Sequence, residues 1–190
     1  MNQESIMDIK VKAEILLEQD FQRIVIRLAH EILEKNRGSE NLVIVGIHNR
    51  GAHLASRISK KIAEIENREI PTGFLDITLY RDDFRTRLKQ PAVEVTNIPF
   101  KIDEKNIVLV DDVLYTGRTI RSALDALMDF GRPSRIYLAV LVDRGHRELP
   151  IRPDFVGKNI PTSIGEEIKV FMKESDEEDK VLLVEEPSEK

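Results

Sequence analysis

Residues 108–120 read VLVDDVLYTGRTI. Val108, Leu109 and Val110 close an apolar run sized for one buried strand. Asp111 and Asp112 follow where that strand is expected to stop, and two adjacent carboxylates beside an apolar strand are costly unless a ligand uses them. Val113, Leu114, Tyr115, Thr116, Gly117, Arg118 and Thr119 then lead into a helix predicted over residues 118–130. Gly117 permits a positive φ or a close approach of ligand to backbone. Amides at a helix N-terminus cradle an anion, and the Thr116 and Thr119 hydroxyls add two donors. A phosphate nest one step from two acceptors for vicinal hydroxyls suits a ribose 5-phosphate.

Outward from this stretch the chain alternates strands and helices. Upstream, Phe21, Ile24, Val25, Leu28 and Ile32 form one stripe at about 100° per residue, so residues 21–36 read as an amphipathic helix with Asp20 as its cap and Gly38 just past its end. Residues 42–47 read as a buried strand, residues 48–51 as a polar turn and residues 52–66 as a second helix. Residues 73–79 look like another strand, and residues 80–101 like a charged excursion, the kind that forms a lid or hairpin arm. Downstream, a strand over 135–142 leads into a basic stretch over 143–163 that reads as irregular. This order predicts an α/β fold, a mostly parallel sheet flanked by helices, with ligands at the carboxyl ends of its strands.

Composition narrows the class. A chain of 190 residues with 41% hydrophobic and 33% charged residues is sized for one globular domain. No apolar run approaches the length of a membrane span, so no membrane partner is expected. The first ten residues show no apolar signal core and there is no cysteine, which together predict a cytoplasmic address and exclude disulfides and thiolate metal sites. The net charge of −5 argues against nucleic acid on its face, but acid is concentrated in residues 165–190 and local patches matter more than the sum. The Gly-x4-Gly-Lys-Ser/Thr phosphate loop of nucleotide triphosphatases is absent.

The stretch VLVDDVLYTGRTI resembles the phosphoribosyl pyrophosphate signature of type I phosphoribosyltransferases. Further segments resemble one family within that fold: VGIHNRG, DITLYRDD, GRPSRIYLAVLVDRGHRELPIRPDFVGKNIPTS and the early helix ending in LAHEILEKN. That family is PyrR, the bifunctional pyrimidine operon attenuation regulators and uracil phosphoribosyltransferases. The resemblance implies transfer of ribose 5-phosphate from phosphoribosyl pyrophosphate to uracil, with Mg2+ carried mainly by the substrate rather than by a dedicated metal site. It implies Asp111 and Asp112 on the ribose hydroxyls, and Asn49, Arg50 and Gly51 on the pyrophosphate. It implies a hood with Val142, Asp143 and Arg144 at the base, and an arm from which Arg81, Arg85, Arg87 and Lys89 reach the pyrophosphate. One departure stands in the pyrophosphate turn, where His48 and Asn49 replace a cation and a threonine usual in the family.

The choice of base follows less directly. Relatives that use 6-oxopurines place an aspartate before the Thr-Gly pair; here Tyr115 stands there, a poor base at neutral pH. The family also implies a homodimer or higher homo-oligomer that binds a stem-loop of pyrimidine operon mRNA when UMP or UTP is bound. The matching positions are His30, Arg147, Arg152 and Lys158, with Lys35 in place of a family arginine. RNA hairpins are read largely by shape and phosphate contact, which suits a dispersed basic face. Three outcomes stay open on residues alone: the bifunctional protein, a uracil transferase without RNA binding, and a nucleotide-sensing regulator with little catalysis.

Overall fold

The structure is a computed structural model that describes residues 10–80 and 95–185. Its main sheet has five parallel strands in the order β3-β2-β4-β5-β6: β2 Leu42–Ile47, β3 Thr72–Leu75, β4 Asn106–Leu114, β5 Arg135–Asp143 and β6 Phe155–Asn159. Central parallel strands are buried on both faces and so read as continuous apolar runs, as β2 does with all six residues buried. Alternate side chains of β4 feed two separate cores. Val108 and Val110 pack with helices α1 (Glu18–Asn36) and α2 (Arg50–Glu66). Ile107 and Leu109 pack with α3 (Arg118–Met128) on the opposite face.

A second sheet has three antiparallel strands in the order β1-β8-β7: β1 Val11–Leu16, β7 Glu166–Phe171 and β8 Lys180–Glu185. A short helix, α4 Lys173–Asp176, joins β7 to β8. None of these strands is evident from periodicity, because their outward positions carry charge and their runs are short. The acid-rich tail is therefore structured here, as far as Glu185.

Several boundaries move from their expected places. α1 begins at Glu18 rather than Phe21, and Asp20 lies inside its first turn, where Oδ2 accepts the Leu17 N–H at 3.2 Å. β3 stops at Leu75 because Asp76 Oδ1 accepts the Thr78 N–H at 2.8 Å, an Asx turn that leads into a single 3₁₀ turn over Thr78–Tyr80. β4 runs on through the acidic pair to Leu114, since β5 supplies partners up to Leu114 opposite Asp143. α3 ends at Met128 rather than at residue 130.

The supposedly irregular stretch after β5 contains β6. A Cβ on its Gly157 would meet the Leu141 carbonyl oxygen at 2.4 Å and Ile24 Cγ2 at 2.8 Å, so glycine lets β5 and α1 close on this strand. The proposed arm lies mostly outside the described residues, including Arg81, Arg85, Arg87 and Lys89. Its base is visible as an antiparallel bridge between Phe74 and Asn97.

Candidate active site

All the candidate groups except those on the arm and α1 come from the carboxyl edge of the parallel sheet or the segment following β5. β2 ends at the turn His48–Asn49, whose peptide is cis, and α2 starts at Arg50. Gly51 is the point of closest approach to β4: a Cβ there would lie 2.7 Å from the Val110 carbonyl oxygen and 3.3 Å from Asp111 Oδ1. Any side chain at Gly51 would push the first turn of α2 off the acidic pair. The turn expected to hold pyrophosphate and the carboxylates expected to hold ribose are thus in contact through a missing Cβ.

Asp111 is 6% exposed, with Oδ1 accepting the Asp112 N–H at 3.0 Å, and Asp112 is half-buried, with Oδ1 accepting the Val113 N–H at 2.9 Å. Each carboxylate keeps acceptor capacity beyond that local bond. Past Leu114 the chain turns over Tyr115, Thr116 and Gly117, the last at φ 93° as the residue capping α3. The first amides of α3 lack intrahelical acceptors and carry the positive end of its dipole. Thr116 Oγ1 accepts the Arg118 N–H at 3.3 Å, and the Arg118 side chain reaches Glu148 at 2.6 Å. Thr119 is half-buried on the first turn.

The segment after β5 is bound closely to this loop. Val142 is fully buried, the Asp143 carbonyl accepts the Ile160 N–H at 2.8 Å, and the Arg144 N–H donates to the Leu114 carbonyl at 3.0 Å. Arg144 is itself 6% exposed. Its guanidinium lies 3.9 Å from the Tyr115 ring centroid and donates to Thr162 Oγ1 at 2.9 Å and to the Glu166 carbonyl. The Arg144 side chain is an internal tie between the loop and the three-stranded sheet, which leaves any contact of residues 142–144 with the base to their backbone groups.

Arg50 also has a different neighbour from the one expected. Its guanidinium makes a two-pronged pair with Asp176 on α4, Nη2 lying 3.0 Å from each carboxylate oxygen. Two helical turns further, Arg57 bridges Glu174 and Asp179 at 2.6–2.8 Å, and between them His53 Nε2 lies 2.9 Å from Ser175 Oγ. Burial raises the pKa of Asp179, but the Arg57 and Lys173 N–H bonds and the Arg57 charge outweigh it and hold the carboxyl below its ordinary value. The Arg57 hydrogen bond likewise holds Glu174 low. These carboxylates carry no sequence signature, since their partner lies more than a hundred residues away. A cavity of about 350 Å³ opens beside the turn, walled by His48, Asn49, His53, Phe74 and Ser175 among others.

The basic face divides into two groups. His30 is exposed on α1, Arg152 is exposed after the loop segment, and Lys158 on β6 donates to the Ile15 carbonyl at 3.3 Å. α1 and β6 adjoin, because Arg27 donates to the Val156 and Gly157 carbonyls and Lys35 pairs with Asp154. Arg147 departs from this group: its guanidinium points into the phosphate loop and is largely covered. The Arg147 side chain, expected to face RNA, is turned inward in this conformation, where backbone carbonyls and Asp143 take its donors. Among the described residues no group of three or more His, Asp or Glu is placed to hold a metal. No described helix is long and apolar enough to cross a membrane.

An acidic pair, a glycine-capped helix N-terminus and a second turn packed on the acidic pair, all on the carboxyl edge of a parallel sheet, define a type I phosphoribosyltransferase fold. The family described as the phosphoribosyl transferase domain matches residues 12–175. A hypoxanthine-guanine phosphoribosyltransferase from Bacillus anthracis superposes with a TM-score of 0.68 at 19% identity, over 92% of this chain and 99% of that one. The chain belongs to the PyrR family: it is 61% identical to the bifunctional protein PyrR of Thermus aquaticus over 92% of this chain and 96% of that protein. The PyrR of Pelotomaculum thermopropionicum is 57% identical over the same shares.

Proposed function

We propose that the chain transfers ribose 5-phosphate from phosphoribosyl pyrophosphate to N1 of uracil, giving UMP and pyrophosphate. We further propose that with UMP or UTP bound it recognises a stem-loop in pyrimidine operon mRNA, as a homodimer or larger homo-oligomer in the cytoplasm. The whole chain acts as one domain, with the arm at residues 80–101 and a hood formed by residues 143–163 and the C-terminal strands. The observation that carries this reading is the close packing of Gly51 on Val110 and Asp111, which supports one substrate spanning the turn at residues 48–51 and the acidic pair.

The reaction needs stabilisation of a cationic sugar and a departing polyanion. Asp111 and Asp112 accept hydrogen bonds from the ribose hydroxyls and place negative potential beside the developing positive charge. The turn at residues 115–117 and the first amides of α3 hold the 5-phosphate. Arg50 is available to the leaving pyrophosphate once it releases Asp176. The carboxylates of Asp111 and Asp112 fit a Mg2+ ion that arrives on the pyrophosphate, since such an ion takes one or two protein carboxylates and keeps several waters. That ion supplies charge neutralisation of the leaving group. Tyr115 in place of an acidic base disfavours purines.

Two measurements test the reading. With labelled phosphoribosyl pyrophosphate, UMP should form from uracil while hypoxanthine yields no nucleotide; absence of UMP would leave only a nucleotide sensor, the alternative that His48, Asn49 and the Arg50–Asp176 pair favour. Filter binding of a pyrimidine-leader hairpin should tighten when UMP is added. Equal binding of an unrelated RNA would remove the regulatory half.

A further inference from the structure

The carbonyls of Leu114, Tyr115 and Thr116 in the phosphate loop are all bonded to residues 144–149, and one side chain takes part at two of them. The Arg147 guanidinium donates from Nη1 to the Tyr115 carbonyl at 2.8 Å, the Gly145 carbonyl at 3.0 Å and the Leu114 carbonyl at 3.4 Å. Its Nε donates to the Ile151 carbonyl at 3.0 Å, and its Nη2 to Asp143 Oδ2 at 2.6 Å. The next carbonyl, of Thr116, accepts the Glu148 and Leu149 N–H groups at 3.0 and 3.1 Å.

Across a trans peptide the C=O of one residue and the N–H of the next point in opposite directions. Holding the carbonyls of Leu114, Tyr115 and Thr116 toward residues 144–151 therefore aims the N–H groups of Tyr115, Thr116 and Gly117 the other way, toward the phosphate. A carbonyl that swung round would put a negative dipole against the anion. We propose that Arg147 is a positioning residue of the phosphate loop, fixing the peptide planes that present its amides. This inference rests on the transferase reading above and assigns Arg147 to the transferase loop.

Only a guanidinium meets the geometry. Its planar fork carries five N–H donors, whereas an ammonium on a flexible stem has three and no fixed plane. Asp143 holds the fork from behind, so the positive charge is neutralised locally rather than offered to the substrate.

The test compares wild type with Arg147→Ala and Arg147→Lys, on the full chain. Amide exchange of Tyr115, Thr116 and Gly117 without ligand should quicken on the order of tenfold in both variants, a local opening distinct from global unfolding. Misaimed amides weaken phosphate binding equally in ground and transition states, so KM for phosphoribosyl pyrophosphate should rise by roughly tenfold with kcat little changed. Added guanidinium ion should restore part of the affinity to Arg147→Ala. Unchanged exchange and KM in both variants, or full activity in Arg147→Lys, would overturn the assignment. Quickened exchange in a protein whose wild type binds no phosphoribosyl pyrophosphate would uphold the positioning and sink the transferase reading; unchanged exchange beside tight binding would do the reverse.

Discussion

The parallel sheet and the three-stranded sheet are held by different forces. In the first, β2 and most of β4 are buried on both faces, and hydrophobic burial fixes where the acidic pair and the phosphate loop stand. In the second, buried and half-buried positions alternate along β7, and its connection to β8 is fastened to α2 by Arg50, His53 and Arg57. The acidic pair on the first sheet stands at its carboxyl edge, while the cations of α2 that face the second sheet are engaged in keeping it attached. Substitutions in the two regions should fail in different ways.

The largest contrast is expected from Asp111→Asn combined with Asp112→Asn. Loss of charge-assisted contacts that strengthen in the transition state should lower UMP formation at least about a hundredfold, on the order of 3 kcal/mol. The melting temperature should stay near that of wild type, as judged by calorimetry. Normal turnover in this variant would remove the assigned site from the parallel sheet.

Arg57→Ala should do the opposite. Asp179 is 7% exposed and would keep its burial while losing its cation, which costs roughly 3 kcal/mol for a broken buried pair. Exchange in residues 166–185 should quicken well before exchange in β4 does. Uniform destabilisation of both sheets would show that the clamp is not local to the second.

Acid should act on the same region more gently. Glu166 is held below its ordinary value by Lys12, and Glu174 by Arg57, while Asp179 is low despite its burial. A carboxyl whose folded value is depressed adds stability that is complete above its unfolded value near about 4 and is lost as pH falls through the lower folded one. Exchange corrected for its intrinsic pH dependence should therefore show residues 166–185 loosening below pH about 4 while β2 and β4 stay protected. Simultaneous loss of both sheets would contradict the division.

What the sequence discloses follows the same line. Leu42–Ile47 and the run into Asp111 are legible because burial on both faces writes itself as consecutive apolar residues. The acidic pair and Gly117 are legible because few structures other than a phosphate site need them together. β6 is hidden by Gly157 and its flanking polar residues, and β1, β7 and β8 by charge on their open face. The covered position of the Arg147 side chain is not legible because most of its acceptors are backbone carbonyls, which every residue has and no sequence reveals. Asp176 looks like one more acid in an acidic tail until the fold brings it to Arg50.

The second sheet also joins the two ends of the described chain. Val11 pairs with Val184 and Leu16 with Val181, and the Glu185 N–H donates to the Lys10 carbonyl at 3.0 Å. Contacts of such long sequence separation form late, because the intervening chain must be ordered first. During synthesis β1 emerges before its central neighbour β8, which follows only after every strand of the parallel sheet has been made. The three-stranded sheet accordingly cannot close before the parallel sheet has been synthesised, and a chain truncated before Lys180 would carry the phosphate loop with β1 left unpaired.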